Sequence, residues 1–409
     1  MKHWPIDHRE GVLELTVIGP DGAPLVDREI TVEQTRHDFA FGNIGFDLVA
    51  YANGQERLDH LAADYVELFN WATLPFYLGQ FEPSRGHPDT ARMLVAARWF
   101  AERGIRLKGH PLVWHSVKAP WLDGLPLDEI ESVIRSRVRR DVGDFAGLID
   151  SWDAINEVVI MPVFENEPDG MPNAVTRLAA EIGRVAMVGV AVDEARETNV
   201  AATLLLNDFD LSTKYEELID RVLDAGIGID AIGLQTHMHQ GYWGEEVMLE
   251  MVDRFAKFGL PLHLTESTLL SGHLMPRDIV DLNDYQPLQW PSTPEGEARQ
   301  ADEIVRHYRS LVSHPAVEAI TYWGITDRGA WLGAPSGLLR TDGSRKPAYD
   351  ALHALIKGEW WMRPTVLRTD AAGRVRISGF LGDYRVASRG ASAVFRIGAT
   401  GEGVASVRL

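Results

Sequence analysis

The chain of 409 residues contains no cysteine. That excludes disulfides, thiolate metal sites and a cysteine nucleophile, and says nothing about redox compartment. It also lacks any apolar run long enough to span a membrane, and its start, Met1-Lys2-His3-Trp4-Pro5-Ile6-Asp7-His8, has no signal-peptide core. On the sequence as it stands a cytoplasmic protein is expected, or a secreted one if a leader was removed. Positive charge is scarce: 40 Lys and Arg against 59 Asp and Glu leave a net charge of −19. Nucleic acids and anionic membranes need basic footprints, so neither is an expected partner, and a neutral ligand fits better than an acidic one. No internal repeat or low-complexity segment is present. Glycine (37) and proline (21) are near average, so no long disordered stretch is implied.

What remains is an ordinary globular composition, 45% hydrophobic and 24% charged, long enough for one large unit and a small one. Eight apolar, strand-like runs occur at Phe39–Gly45, Leu68–Leu74, Arg106–Trp114, Ser151–Glu157, Asn199–Phe209, Ile229–His237, Pro261–Ser267 and Val317–Asp327. Their near-continuous apolar character suits parallel strands buried on both faces. Amphipathic segments separate them, such as the one after Pro294 with Ala301, Ile304, Val305, Tyr308, Leu311 and Val312 on one face. Eight strand–helix units predict an α/β fold, a (β/α)₈ TIM barrel over residues 37–358. The flanks alternate instead: Leu13, Leu15 and Val17 at one end, Val375 and Ile377 at the other. Alternation means antiparallel strands with one wet face, and neither flank is long enough for a stable sheet alone. Residues 8–36 and 363–409 are therefore expected to combine into one accessory β-sandwich, with Trp360 and Trp361 joining it to the barrel. Two long loops, Val158–Thr176 and Thr268–Glu297, leave strand ends where barrel sites are built.

The polar residues ending those runs form a constellation. The third run supplies His110, Trp114 and His115, and the fourth Asn156 and Glu157. The sixth supplies Gln235 and His237, the seventh Glu266 and the eighth Trp323, with Trp331 beyond it. Tryptophan faces stack on sugar rings, while amides and imidazoles bond hydroxyls. Two carboxylates at one rim are what cleavage of a glycosidic bond requires. A glutamate ending an apolar strand is often only a solvated rim residue, but the groups around Glu157 and Glu266 argue otherwise. Asp208 and Asp327 read as structural.

These residues fall in ordered motifs. Gly109-His110-Pro111-Leu112-Val113-Trp114-His115, Trp152-Asp153-Ala154-Ile155-Asn156-Glu157, Gly233-Leu234-Gln235-Thr236-His237, Thr265-Glu266 and Trp323-Gly324-Ile325-Thr326-Asp327 resemble glycoside hydrolase family 10 over roughly residues 36–358. The resemblance implies a retaining β-glycosidase of xylanase type, with Glu157 as acid/base and Glu266 as nucleophile. Asn156 would then bond the 2-hydroxyl of the attacked sugar, and no cofactor is implied. Two departures stand out. The family's Glu-Asn-x-Met-Lys-Trp after strand two has no counterpart in Asn70-Trp71-Ala72-Thr73-Leu74-Pro75-Phe76-Tyr77-Leu78, which weakens the expectation of plain xylan as substrate. The family's Asp two residues past the nucleophile is Thr268 here, which leaves the charge of His237 open.

Two other classes remain on the residues alone. His110, His115, His237, His239 and His263 suggest a metal-dependent barrel hydrolase, although Phe39–Gly45 offers no ligands. A non-catalytic carbohydrate-binding relative is the third. The sequence sets neither sugar, linkage, endo or exo action, nor oligomeric state.

Overall fold

The computed structural model describes residues 5–165 and 170–409. Residues 1–4 and 166–169, the latter part of the Val158–Thr176 loop, lie outside the described residues.

Strands β1 (Glu10–Ile18) and β2 (Glu29–His37) lead into the barrel strands. These are β3 (Ala40–Ile44), β4 (Trp71–Pro75), β5 (Arg106–His110), β6 (Ser151–Asn156), β7 (Thr203–Asp208), β8 (Ala231–His237), β9 (Leu262–Thr268) and β10 (Val317–Tyr322). They close in chain order, β10 pairing with β3, and every neighbouring pair is parallel. The (β/α)₈ expectation holds. Each strand is followed by a helix, among them Thr213–Asp224, capped by the Ser212 side chain, and Pro294–Val312, capped by Thr293 with Pro294 in its first turn. The helix Pro294–Val312 buries Ile304, Tyr308, Leu311 and Val312 on the face foreseen for it.

Several boundaries shift from the sequence reading. Leu68 ends the helix Asp59–Leu68, so the second barrel strand begins only at Trp71. The third ends at His110, before Pro111, which has no N–H to donate to a ladder. The fifth begins at Thr203 and not Asn199, which caps the preceding helix Arg184–Thr198.

The chain ends with β11 (Thr365–Arg368), β12 (Arg374–Phe380), β13 (Gly382–Ser388), β14 (Ala391–Ile397) and β15 (Gly401–Arg408). They combine with the first two strands into the expected sandwich, but β15 pairs parallel with β1 where only antiparallel strands were expected. One sheet runs β12-β1-β15 and the other β11-β2-β13-β14. Leu15, Val17, Val32, Ile377, Tyr384 and Val386 fill the space between them. Trp360 stacks on Phe41 at 5.9 Å, and Trp361 stands edge-on to His37 at 5.1 Å, so this pair sits at the joint between sandwich and barrel.

The barrel interior is not wholly apolar. Lys108 and Asp153 lie buried with Nζ and Oδ2 2.7 Å apart. Burial alone would raise the Asp153 carboxyl, but Lys108 and His110 outweigh it and hold it below the usual range. Gly109 is required beside them: a Cβ there would lie 2.1 Å from the Trp152 ring.

Candidate active site at the strand ends

Glu157 follows the last residue of β6 with φ of 56°, a left-handed conformation that costs a non-glycine residue free energy and gathers at functional sites. Its backbone N–H donates to the Asn207 carbonyl at 2.8 Å, which ties the turn to β7. Trp114 Nε1 donates to Glu157 Oε2 at 2.8 Å, and Gln235 Nε2 donates to Oε1 at 3.3 Å. His115 Nε2 is 4.0 Å from Oε2. Burial, then the negative charge of Glu266, pushes the Glu157 carboxyl up to about 8.

Glu266 lies within β9. Its Oε1 accepts from Asn207 Nδ2 at 3.1 Å, and its Oε2 lies 3.0 Å from His237 Nε2. His110 Nε2 is 3.9 Å from Oε1, while its Nδ1 meets Asp153 Oδ2 at 2.7 Å. A hydrogen bond to ionised Glu266 requires a proton on His237 Nε2. Thr268 Oγ1 is 3.4 Å from His237 Nδ1 and 3.5 Å from His239 Nδ1, and it accepts from the Met238 N–H at 3.1 Å. A hydroxyl with one proton is therefore shared between two imidazoles at Thr268, the position noted as a departure from the family.

Asn156 joins the two halves. Its Oδ1 accepts from Asn207 Nδ2 at 2.8 Å and from Gln235 Nε2 at 3.1 Å. Among the described residues its own Nδ2 is buried without a partner. Such a donor carries a desolvation cost of about 1–3 kcal/mol that a ligand oxygen would relieve.

The aromatic residues line the same region. Trp323 meets His110 at 5.2 Å, His237 at 6.2 Å and Phe46 at 5.6 Å, all edge-on. Trp331 lies 4.7 Å from the His237 ring and 5.1 Å from His239. Leu270, Met275 and Trp290 of the loop after β9 form a separate apolar cluster with Ala334, which follows β10. All nine proposed site residues thus fall at one end of the barrel: Glu157, Glu266, His110, Trp114, Asn156, Gln235, His237, Trp323 and Trp331.

Asn207 was not anticipated. It donates to both Asn156 and Glu266 and accepts from Thr265 Oγ1 at 2.6 Å. Gly233 makes its room, since a Cβ there would lie 2.4 Å from Asn207 Oδ1. The available signal was an asparagine ending the apolar run Leu204-Leu205-Leu206, as Asn156 ends its own. The adjacent Asp208 is structural, its carboxylate accepting from the backbone N–H groups of Val159 at 3.0 Å and Asp210 at 2.9 Å. Asp327 likewise pairs with Lys346 at 2.7 Å.

The histidines do not gather into a metal centre. Among the described residues no group of three or more His, Cys, Asp or Glu side chains could hold an ion. His115 packs 4.3 Å from Phe164, and burial lowers it to about 3. His239, lowered to about 3 by burial and then by His237, lies against Trp331, and His263 sits in the barrel edge-on to Trp71.

The sequence model of glycosyl hydrolase family 10 matches residues 78–355, and the chain belongs to that family. It is similar to a beta-1,4-xylanase of Dictyoglomus thermophilum, 26% identical over 243 residues covering 56% of this chain and 63% of that protein. Endo-1,4-beta-xylanase B of Thermotoga neapolitana is 26% identical over 291 residues, 68% of this chain and 74% of that protein. Anti-sigma-I factor RsgI6 of Acetivibrio thermocellus is 23% identical over 393 residues, 92% of this chain. The chain spans only 45% of that protein's length. Among solved structures, xylanase 10B from Thermotoga petrophila RKU-1 in complex with xylobiose superimposes with a TM-score of 0.63 at 20% identity, covering 79% of this chain and 95% of that one. At that identity the likeness speaks for the fold. No helix among the described residues is long and apolar enough to cross a membrane.

Proposed function

We propose that this protein is a retaining β-glycoside hydrolase of the xylanase type, working by double displacement with Glu157 as acid/base and Glu266 as nucleophile. The observation that carries the reading is the raised carboxyl of Glu157 beside the charge of Glu266. Glu157 is half-buried against Trp114 and raised to about 8, so it holds the proton that the leaving oxygen needs. Glu266 accepts from Asn207 and faces His237 Nε2, contacts that hold its two oxygens in place for attack on carbon.

In the first step Glu157 donates its proton to the glycosidic oxygen as Glu266 forms an ester with the sugar carbon. Esterification removes the Glu266 charge, one of the causes of the raised Glu157 value, so Glu157 becomes a better base for the water that releases the sugar. Asn156, through its unpartnered Nδ2, is assigned to the 2-hydroxyl, and Gln235 and Asn207 hold its carbonyl in place. His110, His237, Trp114, Trp323 and Trp331 are assigned to substrate binding within the barrel, residues 37–358. The segments 8–36 and 363–409 form the accessory unit. The preferred sugar is a β-glycoside other than plain xylan, because the apolar Thr73–Leu78 segment brings no charged group to grip xylose hydroxyls.

The test is chemical rescue. Glu266→Ala should abolish hydrolysis and regain turnover with azide, yielding an α-glycosyl azide from a β-substrate. Glu157→Ala should stay active on glycosides whose leaving group needs no proton. Equal loss of Glu157→Ala on activated and unactivated substrates would remove its acid role.

The likeness to a protein named as an anti-sigma factor favours one second reading, a barrel that binds carbohydrate without cleaving it. Turnover of an activated aryl β-glycoside by the wild-type chain would eliminate it.

A further inference from the structure

Tyr77 lies two residues past β4, between the buried Phe76 and the short helix Leu78–Phe81. Its ring is held from three directions: Phe46 edge-on at 5.8 Å, His110 edge-on at 5.6 Å and Trp114 tilted at 5.5 Å. Two of these neighbours touch the carboxylate pair. Trp114 donates to Glu157, and His110 Nε2 is 3.9 Å from Glu266. The phenol is thereby placed beside both acids. Its titration agrees: burial first, then the charges of Glu266, Glu157 and Asp153, raise it well above the usual phenol value. It stays a neutral O–H donor wherever the enzyme works.

Four of the polar groups around the acids are already committed to them. Trp114, Gln235, Asn207 and His237 each bond a carboxylate oxygen. Among the described residues the Tyr77 hydroxyl bonds no protein atom, and the residue is partly exposed. A rigidly packed phenol beside two carboxylates, bonded to neither, presents its donor to whatever lies between them.

We propose that Tyr77 is a substrate-contact residue that sets sugar specificity, its hydroxyl donating to one ring hydroxyl of the sugar held between Glu157 and Glu266. With Phe46 and Trp323 its ring forms an apolar wall for that sugar's C–H face. This wall brings no cation, and the negative charge of Glu266 beside it repels anions, so the class selected is a neutral pyranoside and not a uronic acid. The inference rests on the assignment of the carboxylate pair.

Tyr77→Phe keeps the ring and removes only the hydroxyl. Dinitrophenyl β-glucoside and β-xyloside serve as probes, the faster of the two being compared with its analogues deoxygenated singly at each ring hydroxyl. Tyr77→Phe should lower kcat/KM on the parent by about tenfold, the scale of one sugar hydrogen bond. On the one analogue lacking the partner hydroxyl it should match wild type, with its thermal midpoint unchanged. Unchanged activity on the parent would overturn the proposal, and so would an equal loss on every analogue, which marks a merely structural role. Glu157→Ala and Glu266→Ala are assayed alongside, Glu157→Ala on the methyl glycoside of the same sugar. If Glu266→Ala, or Glu157→Ala on that methyl glycoside, kept wild-type rates, the carboxylate assignment fails. If both are impaired while Tyr77→Phe equals wild type, only the role of Tyr77 fails.

Discussion

Glu157 holds its proton for two separable reasons, burial and the charge of Glu266, and they predict different behaviour on mutation. For a substrate with a poor leaving group, kcat/KM should fall as pH rises through about 8, where free Glu157 loses the proton it must donate. Glu266→Gln removes the second cause and leaves the first. Glu157 should then titrate at lower pH but still above the ordinary carboxylate range, as carboxyl infrared bands or NMR of the side chain would report. A Glu157 value unchanged in that variant would mean that the two acids do not sense each other. Residue by residue, the site was unevenly legible. Asn156, Glu157 and Glu266 could be named because each ends an apolar run within a motif. Asn207 could not, because its role comes from Asn156, Thr265 and Glu266, which reach it from two other strands. Tyr77 stood in a segment noted for what it lacked, and its packing against Trp114 and His110 is a property of the fold alone.

At the scale of elements, the accessory unit depends on both ends of the chain. Among the described residues the strand partners of β1 are β12 and β15, and those of β2 are β11 and β13, so each N-terminal strand takes its ladder partners from the C-terminal segment. Charge follows the same division. Residues 363–409 carry eight arginines against three acids, and residues 8–36 carry six acids against three arginines. Arg374 meets Glu14 at 3.3 Å, Arg368 meets Asp27 at 2.6 Å, and Arg385 pairs with Glu33. Exposed pairs of this kind contribute under about 1 kcal/mol each, so the apolar layer between the sheets carries the stability. Ending the chain after Met362 should therefore make residues 10–37 susceptible to protease while the barrel persists. Unchanged resistance of those strands after truncation would contradict the shared-sandwich account. Alternation along Leu13, Leu15 and Val17 announced the strands, but nothing local could announce that β15 would pair parallel to β1. Strand limits were legible only to a few residues, since Leu68 is apolar whether it ends a helix or starts a strand.

For the molecule as a whole, the barrel places one acid pair, one buried amide relay and an aromatic wall at a single rim, beside a strand-two segment with no charged reader. The chain should therefore degrade plain xylan poorly relative to some other β-glycoside. The comparison is of kcat/KM across nitrophenyl β-glycosides and xylan and cellulose oligosaccharides. A value for xylan above every other substrate would contradict it. The central claim, a double displacement through a glycosyl ester on Glu266, does not depend on which sugar is preferred. It is tested most directly by proton NMR of the anomeric signals during the first turnovers of a β-glycoside. Two inversions at the same carbon predict that the β-anomer of the released sugar appears first, with the α-anomer growing in later by mutarotation. Initial appearance of the α-anomer would show a single displacement by water and contradict the account.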